Sequence, residues 1–210
     1  MTAKYPTGHA LTRAVGVLRD EGVRAFGLKL LSAAGVYRRL AMLERPLTQP
    51  IAEFTPGIAI SVAVLGDDEL EDYFAFRPDA EQPRVTDRVR SGDMCFVARH
   101  EGRIVSACWV AKRRMYAEFL RCDIVPSPDE AYFFDAFTLP PYRGRDIAPA
   151  LCAHQLRHFR EAGLRRAIRA TIPENAPALR AHGKNGFRPY GMLTSVGLGP
   201  WRRSFFRPGR

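Results

Sequence analysis

LPPYRGRDIAPAL, residues 139–151, carries more of this chain's meaning than any other stretch. An apolar, aromatic run, YFFDAFTL (132–139), leads into it and reads as a strand; two prolines then end the extended segment, and Gly144 sits in a basic turn. Beyond the turn Ala148, Cys152, Leu156 and Phe159 share one helical face until Gly163 stops the pattern, which predicts a helix over 147–162. A strand that passes through a glycine turn into a helix presents unpaired backbone N–H groups and a helix N-terminus, where a pyrophosphate can be held. Arg143 and Arg145 place positive charge at the same spot.

The flanking segments supply the rest of a sheet. IAISVAVL (58–65) reads as a strand, and GDDELEDYFAF after it has acids where a helix N-terminus favours them. MCFVAR (94–99) and IVSACWVA (104–111), joined by HEGR with Gly102 at the turn, predict a β-hairpin. RRAIRATI (165–172) is a further strand, followed by a short helix after Asn175 and a β-rich close from Phe187 to Leu198. The order predicts an α/β fold with a mixed, mostly antiparallel sheet flanked by helices, not a doubly wound parallel one.

Residues 10–45 show helical periodicity (Leu11, Val15 and Leu18; Val23, Phe26 and Leu30; Val36, Leu40 and Leu43), broken near Gly22 and Gly35. ERPLTQP (44–50), with two prolines, reads as a linker. The expected organisation is a basic amphipathic helical extension and linker over 1–50 and one catalytic-size domain over 51–210.

Charge is uneven: of a net +10, residues 1–50 hold +5, residues 202–210 hold +4, and the middle only +1. A basic excess confined to the ends argues against a core that binds nucleic acid. Cys95, Cys108, Cys122 and Cys152 form no CxxC pair, so neither a metal site nor a redox pair is expected, and reduced thiols fit a cytoplasmic protein. Lys4, Arg13, Arg19, Asp20, Glu21, Arg24 and Lys29 interrupt every early apolar run before it reaches signal-peptide or membrane-span length.

The segment 143–148 also resembles the cofactor motif of the GNAT acyltransferase superfamily, Q/R-x-x-G-x-G/A after the fourth strand, at Arg143 and Ala148; its central glycine is replaced by Asp146. Asn175, then Ala178 and Leu179, then Gly186 and Phe187 are similar to the family's second signature, at the family's spacing. The resemblance spans 51–200 in architecture and 132–190 in motifs. It implies an acyl-CoA N-acyltransferase, with acetyl-CoA or another acyl-CoA as co-substrate lying in a V between the fourth strand (132–139) and the fifth (167–172), where an amine attacks the thioester directly. It further implies pairing of backbone amides near Thr138 and Leu139 with the pantetheine arm, a pyrophosphate on the amides of Gly144, Arg145, Asp146, Ile147 and Ala148 beside Arg143, and a cofactor-side role for Asn175.

Two positions depart from the family. Asp146 puts a carboxylate beside the expected phosphates, which opposes binding unless an arginine neutralises it, although Asp tolerates a left-handed turn. His182 stands where the family often has a tyrosine that protonates the leaving thiolate; histidine can do so near neutral pH, and otherwise it is a plain surface residue. For deprotonating the acceptor the candidates are Asp135, placed by strand alternation on the face of Phe133 and Phe137, and Glu118, each alternatively a paired or solvated acid. Residues 67–81, with seven acids and one arginine, would suit a cationic small-molecule or amino-sugar amine if they border the acceptor, and otherwise form a solvated helix face. Two further readings stand beside the enzyme: a GNAT-like binding or regulatory module without catalysis, and peripheral membrane contact through residues 10–45, which alternatively pack on the domain or across a homodimer.

Overall fold

The computed structural model describes residues 35–198 and 201–209. Its strands are β1 (Tyr37–Pro46), β2 (Ser61–Val64), β3 (Met94–His100), β4 (Arg103–Ala111), β5 (Met115–Ala117), β6 (Cys122–Ile124), β7 (Glu130–Thr138), β8 (Arg166–Thr171), β9 (Arg188–Leu198) and β10 (Trp201–Pro208). Its helices are α1 (Leu70–Phe76), α2 (Gln82–Arg90), α3 (Ile147–Glu161) and α4 (Ala176–Lys184). Eight strands form one sheet in the order β10-β9-β1-β8-β7-β4-β3-β2, and β5 and β6 form a separate hairpin. All pairings are antiparallel except β7 with β8. The mixed, mostly antiparallel sheet flanked by helices is therefore as the sequence predicts.

The helical reading of residues 36–45 is corrected: Tyr37–Pro46 is a central strand between β8 and β9. Leu40, Ala41, Met42 and Leu43 are all buried because both faces of the sheet are covered there. Met42 packs with Tyr132 and Ile168 on one face, and Leu43 with Phe133 and Phe187 on the other. A short apolar run buried on both sides has no period of two to betray it, and the spacing of Val36, Leu40 and Leu43 mimics a helix. Glu44, Arg45 and Pro46 complete this strand instead of opening a linker. The buried Arg45 side chain then ties the following residues down, donating to the carbonyls of Asn185, Pro46 and Pro50 and to Gln49 Oε1. The remainder of the expected helical extension, residues 1–34, lies outside the described residues.

Elsewhere the local chemistry explains the elements. Glu101 and Gly102 both have positive φ, as a two-residue hairpin turn between β3 and β4 requires. Helix α3 buries Ile147, Leu151, Cys152, Leu156 and Phe159 against Phe96 and Phe133 of the sheet and is followed by Gly163 at φ 82. On the opposite face α1 and α2 bury Tyr73, Phe76 and Val85 against Cys95, Val97 and Trp109, with Trp109 Nε1 donating to Tyr73 Oη at 2.9 Å. Helix α2, the β5–β6 hairpin and the edge strand β10 have no counterpart in the sequence reading. No helix among the described residues is long and apolar enough to cross a membrane.

Because Leu43 is 1% exposed and packs between two covered faces, Leu43→Ala should cost about 3 kcal/mol in urea unfolding, the range for a core leucine. A loss under about 1 kcal/mol would mean that this segment is peripheral, as an extension would be.

Candidate functional site

β7 and β8 pair in parallel over only four positions, Glu130 with Arg166 through Phe133 with Arg169. Past Phe133 the pairing stops, while β7 continues on β4 to Thr138 and β8 continues on β1 to Thr171. The sheet thus parts into two halves at this point.

The parting coincides with an extra residue in β7. Trp109 of β4 faces Phe134, whereas Ala107 faces Phe137, so Asp135 and Ala136 together oppose Cys108. Asp135 takes up the bulge at φ 46, a left-handed geometry that Asp tolerates better than most side chains. The bulge inverts the alternation, so that Phe133 lies in the core under α3 and Phe137 in the core under α1. The expectation that Asp135 shares a face with Phe133 is corrected accordingly. Its carboxylate is gripped by Arg88 at 2.6 Å and Arg77 at 3.3 Å, from the α1 and α2 side.

In the gap lies a cavity of about 230 Å³, bounded by Ala136–Thr138 of β7, Cys108 of β4, Arg169 of β8, the first turns of α3 from Ala148, and His182 of α4. Its lining includes polar groups that the sequence reading missed. Gln155, fully buried on α3, donates from Nε2 to the Cys108 carbonyl at 3.2 Å, while its Oε1 has no partner. Arg169 is 6% exposed, lies over the Phe187 ring at 5.2 Å and leaves its Nε unpaired. Burial, helped by the Arg169 charge, pushes the His182 imidazole down to about 3, so it is neutral at physiological pH.

The turn before α3 is built as the sequence implies. Gly144 has φ 75 and Asp146 φ 52, bringing the chain into α3, whose first amides, Ile147 and Ala148, precede Pro149. Arg143 Nε donates to the Thr138 carbonyl at 3.0 Å, and Arg145 is exposed with its carbonyl accepting from the Gly57 amide. The Asp146 carboxylate pairs with Lys184 of α4 at 2.6 Å, not with Arg143 or Arg145. Asn185 Nδ2 donates to the Pro149 carbonyl and ties the same two helices together.

Two expected contacts are otherwise engaged. The Leu139 amide donates to the Val105 carbonyl at 3.0 Å, so it is not free to meet a pantetheine arm. Asn175 Oδ1 caps α4 by accepting from the Ala178 amide.

Across the sheet a second cavity of about 430 Å³ is lined by Tyr132 and Phe134 of β7, Arg84, Asp87 and Arg88 of α2, Asp93, and residues of the β5–β6 hairpin. Burial pushes Asp93 up to about 6, against the pull of Arg88. Glu118 also lines it, paired with Arg84 at 3.6 Å. The acidic run 67–81 does not line this cavity, and within it Glu69 is taken by Arg99, Asp79 by Arg77 and Glu81 by Arg84.

Residues 63–187 match the Acetyltransferase (GNAT) family. The chain belongs to the GNAT acetyltransferase family. No curated protein matches the sequence. Among solved structures the chain is similar to a GNAT-family protein from Novosphingobium aromaticivorans, at 23% identity and a TM-score of 0.54, over 76% of this chain and 65% of that one. A GCN5-related N-acetyltransferase from Sphaerobacter thermophilus is similar at 19% identity and a TM-score of 0.55, over 87% of this chain and 56% of that one. AAC(6')-Iy, solved with the bisubstrate analogue CoA-S-monomethyl-acetylneamine, is similar at 19% identity and a TM-score of 0.51, over 69% of this chain and 97% of that one. At these identities the structural likeness concerns the fold, and this GNAT chain spans under two thirds of the first two structures.

The Asp146–Lys184 pair is half exposed, so Lys184→Ala should leave stability within about 1 kcal/mol. If the turn holds a pyrophosphate, the same change should weaken coenzyme A binding several-fold at low salt, because the carboxylate is left uncompensated beside the anion. Asp146→Gly in that background should recover most of the loss, as read by calorimetry. Equal affinities in wild type and Lys184→Ala would mean that no phosphate sits beside Asp146.

Proposed function

We propose that this GNAT chain transfers an acyl group, acetyl in the simplest case, from its coenzyme A thioester to a primary amine by direct attack. The observation that carries the reading is the gap between β7 and β8, whose cavity runs from the amides at the start of α3 into the middle of the sheet. That shape suits a donor with an anionic head and a long neutral arm. The pyrophosphate would rest on the amides of Gly144, Arg145, Asp146, Ile147 and Ala148 with Arg143 and Arg145 beside it, and the arm would lie along Ala136–Thr138. AAC(6')-Iy, similar in fold, was solved with an analogue that joins coenzyme A to an acetylated amine. A small-molecule or amino-sugar amine entering from the other face, through the cavity with acids and arginines on its walls, is the acceptor this arrangement favours.

In this reading the amine nitrogen attacks the thioester carbonyl, a C–N bond forms and the C–S bond breaks. An ammonium must first lose a proton, and Asp93 is the carboxylate best placed for it: it lines the acceptor-side cavity and is more basic than an ordinary aspartate. It takes the part expected of Asp135, whose oxygens are committed to Arg77 and Arg88 and which we assign to holding the bulge. His182, neutral near physiological pH, lines the donor cavity as a poor proton donor.

Coenzyme A or acetyl-CoA at about 100 times its dissociation constant should stabilise the fold by roughly 2.7 kcal/mol, visible as a thermal shift. A shift with turnover of no amine in a broad panel would favour a binding module over an enzyme, and no shift with any acyl-CoA would remove the reading. Rate should rise as pH increases through about 6 and Asp93 ionises. Asp93→Asn should abolish that limb and lower turnover by about a hundredfold or more. The limb should be unchanged in His182→Gln; a limb that moves with His182 would restore it as the titrating group.

A further inference from the structure

Arg169 is a buried cation with no carboxylate partner among the described residues. Its guanidinium reaches the Cys152 side chain, and its Nε has no hydrogen-bond partner. The titratable groups around it supply no anion. Cys108 of β4 and Cys152 of α3 are held as thiols by burial, the latter at about 12, and His182 of α4 is neutral. Beyond these, Asp135 of β7 acts on Cys108 and Arg45 of β1 on Cys152. An uncompensated charge in a dry site is costly to keep. A fixed cation is useful where negative charge develops during a reaction and is absent before it.

We propose that Arg169 receives the thiolate that leaves when the thioester is cleaved, stabilising it electrostatically in place of a proton donor. The inference rests on the acyl-CoA reading above. With the pyrophosphate at the α3 N-terminus, the sulfur is at the other end of the donor's arm, inside the cavity that Arg169, Gln155 and His182 line, with Arg169 close enough to His182 to act on it. The amine nitrogen bonds to the carbonyl carbon, the electron pair of the C–S bond goes to sulfur, and the amine's proton goes to Asp93 and then to water. The sulfur stays anionic beside the guanidinium and takes a proton from solvent on release. Gln155 Oε1, the other unpartnered atom, accepts from an amide N–H of the arm.

Free coenzyme A tests this without any acceptor, because its thiol is the leaving group. Thiolate absorbance near the ultraviolet edge is titrated for the protein saturated with coenzyme A, with the desulfo-coenzyme A complex as blank. The bound thiol should ionise at least about one pH below free coenzyme A, the effect of an opposite charge at close range. Arg169→Lys should keep part of the shift and Arg169→Gln should lose it, while affinity at pH 6, where the thiol is protonated, stays within a few-fold. A wild-type complex whose thiol ionises at or above the pH of free coenzyme A overturns the proposal, whether or not the variants fold. So does an Arg169→Gln complex that titrates like wild type. Failure of coenzyme A to bind at all overturns the acyl-CoA reading, and this inference with it.

Discussion

The grip of Arg77 and Arg88 on Asp135 is the contact on which the site's geometry depends. It holds one residue of β7 in left-handed geometry, and that extra residue lets β7 follow β4 after it has ceased to follow β8. Without the bulge the two parallel strands would have no reason to separate, and the gap proposed for the donor would be filled by paired backbone. The arginines come from α1 and α2 on the far face and are themselves packed on Phe137, Trp109 and Phe134. Contacts on the α1 and α2 face of the sheet therefore hold the gap on the other face open.

The two cavities differ in chemistry as the proposed transfer would require. The cavity between β7 and β8, which we assign to the donor, is mostly apolar, with the permanent charge of Arg169 in its wall and neighbours kept neutral by burial. The cavity we assign to the acceptor carries both signs of charge and a carboxylate whose basicity burial has raised. Low polarity on one side strengthens any charge that forms there, whereas mixed charge on the other suits a hydrated, cationic amine.

Sequence made the donor half of this arrangement legible because its signals are local. Gly144, the α3 periodicity and the hairpin turn at Gly102 each reflect constraints within a few residues, and the structure has them where the pattern puts them. β1 was not legible, since Leu40 to Leu43 are buried on both faces and a strand buried on both faces shows no alternation. The bulge at Asp135 was invisible for another reason: an extra residue shifts facing by one, and only the register against β4 reveals it. Gln155 did leave a trace, a polar residue within the apolar stripe of Leu151, Cys152, Leu156 and Phe159. Arg169 left none that sets it apart, since Arg165 and Arg166 precede it in the same run; that both line one cavity is a fact of topology, outside the reach of spacing. Asp93 carried no signal at all, because its basicity comes from the packing around it.

The central claim is that the donor's pyrophosphate is held by the turn into α3 and that the gap beside β7 is its channel. Hydrogen exchange of backbone amides, with and without saturating coenzyme A, tests this most directly. The account predicts new protection at Gly144 to Ala148, with Leu139, already bonded to Val105, protected in both states. Protection that appears elsewhere while the amides of 144–148 exchange as freely as before would contradict it.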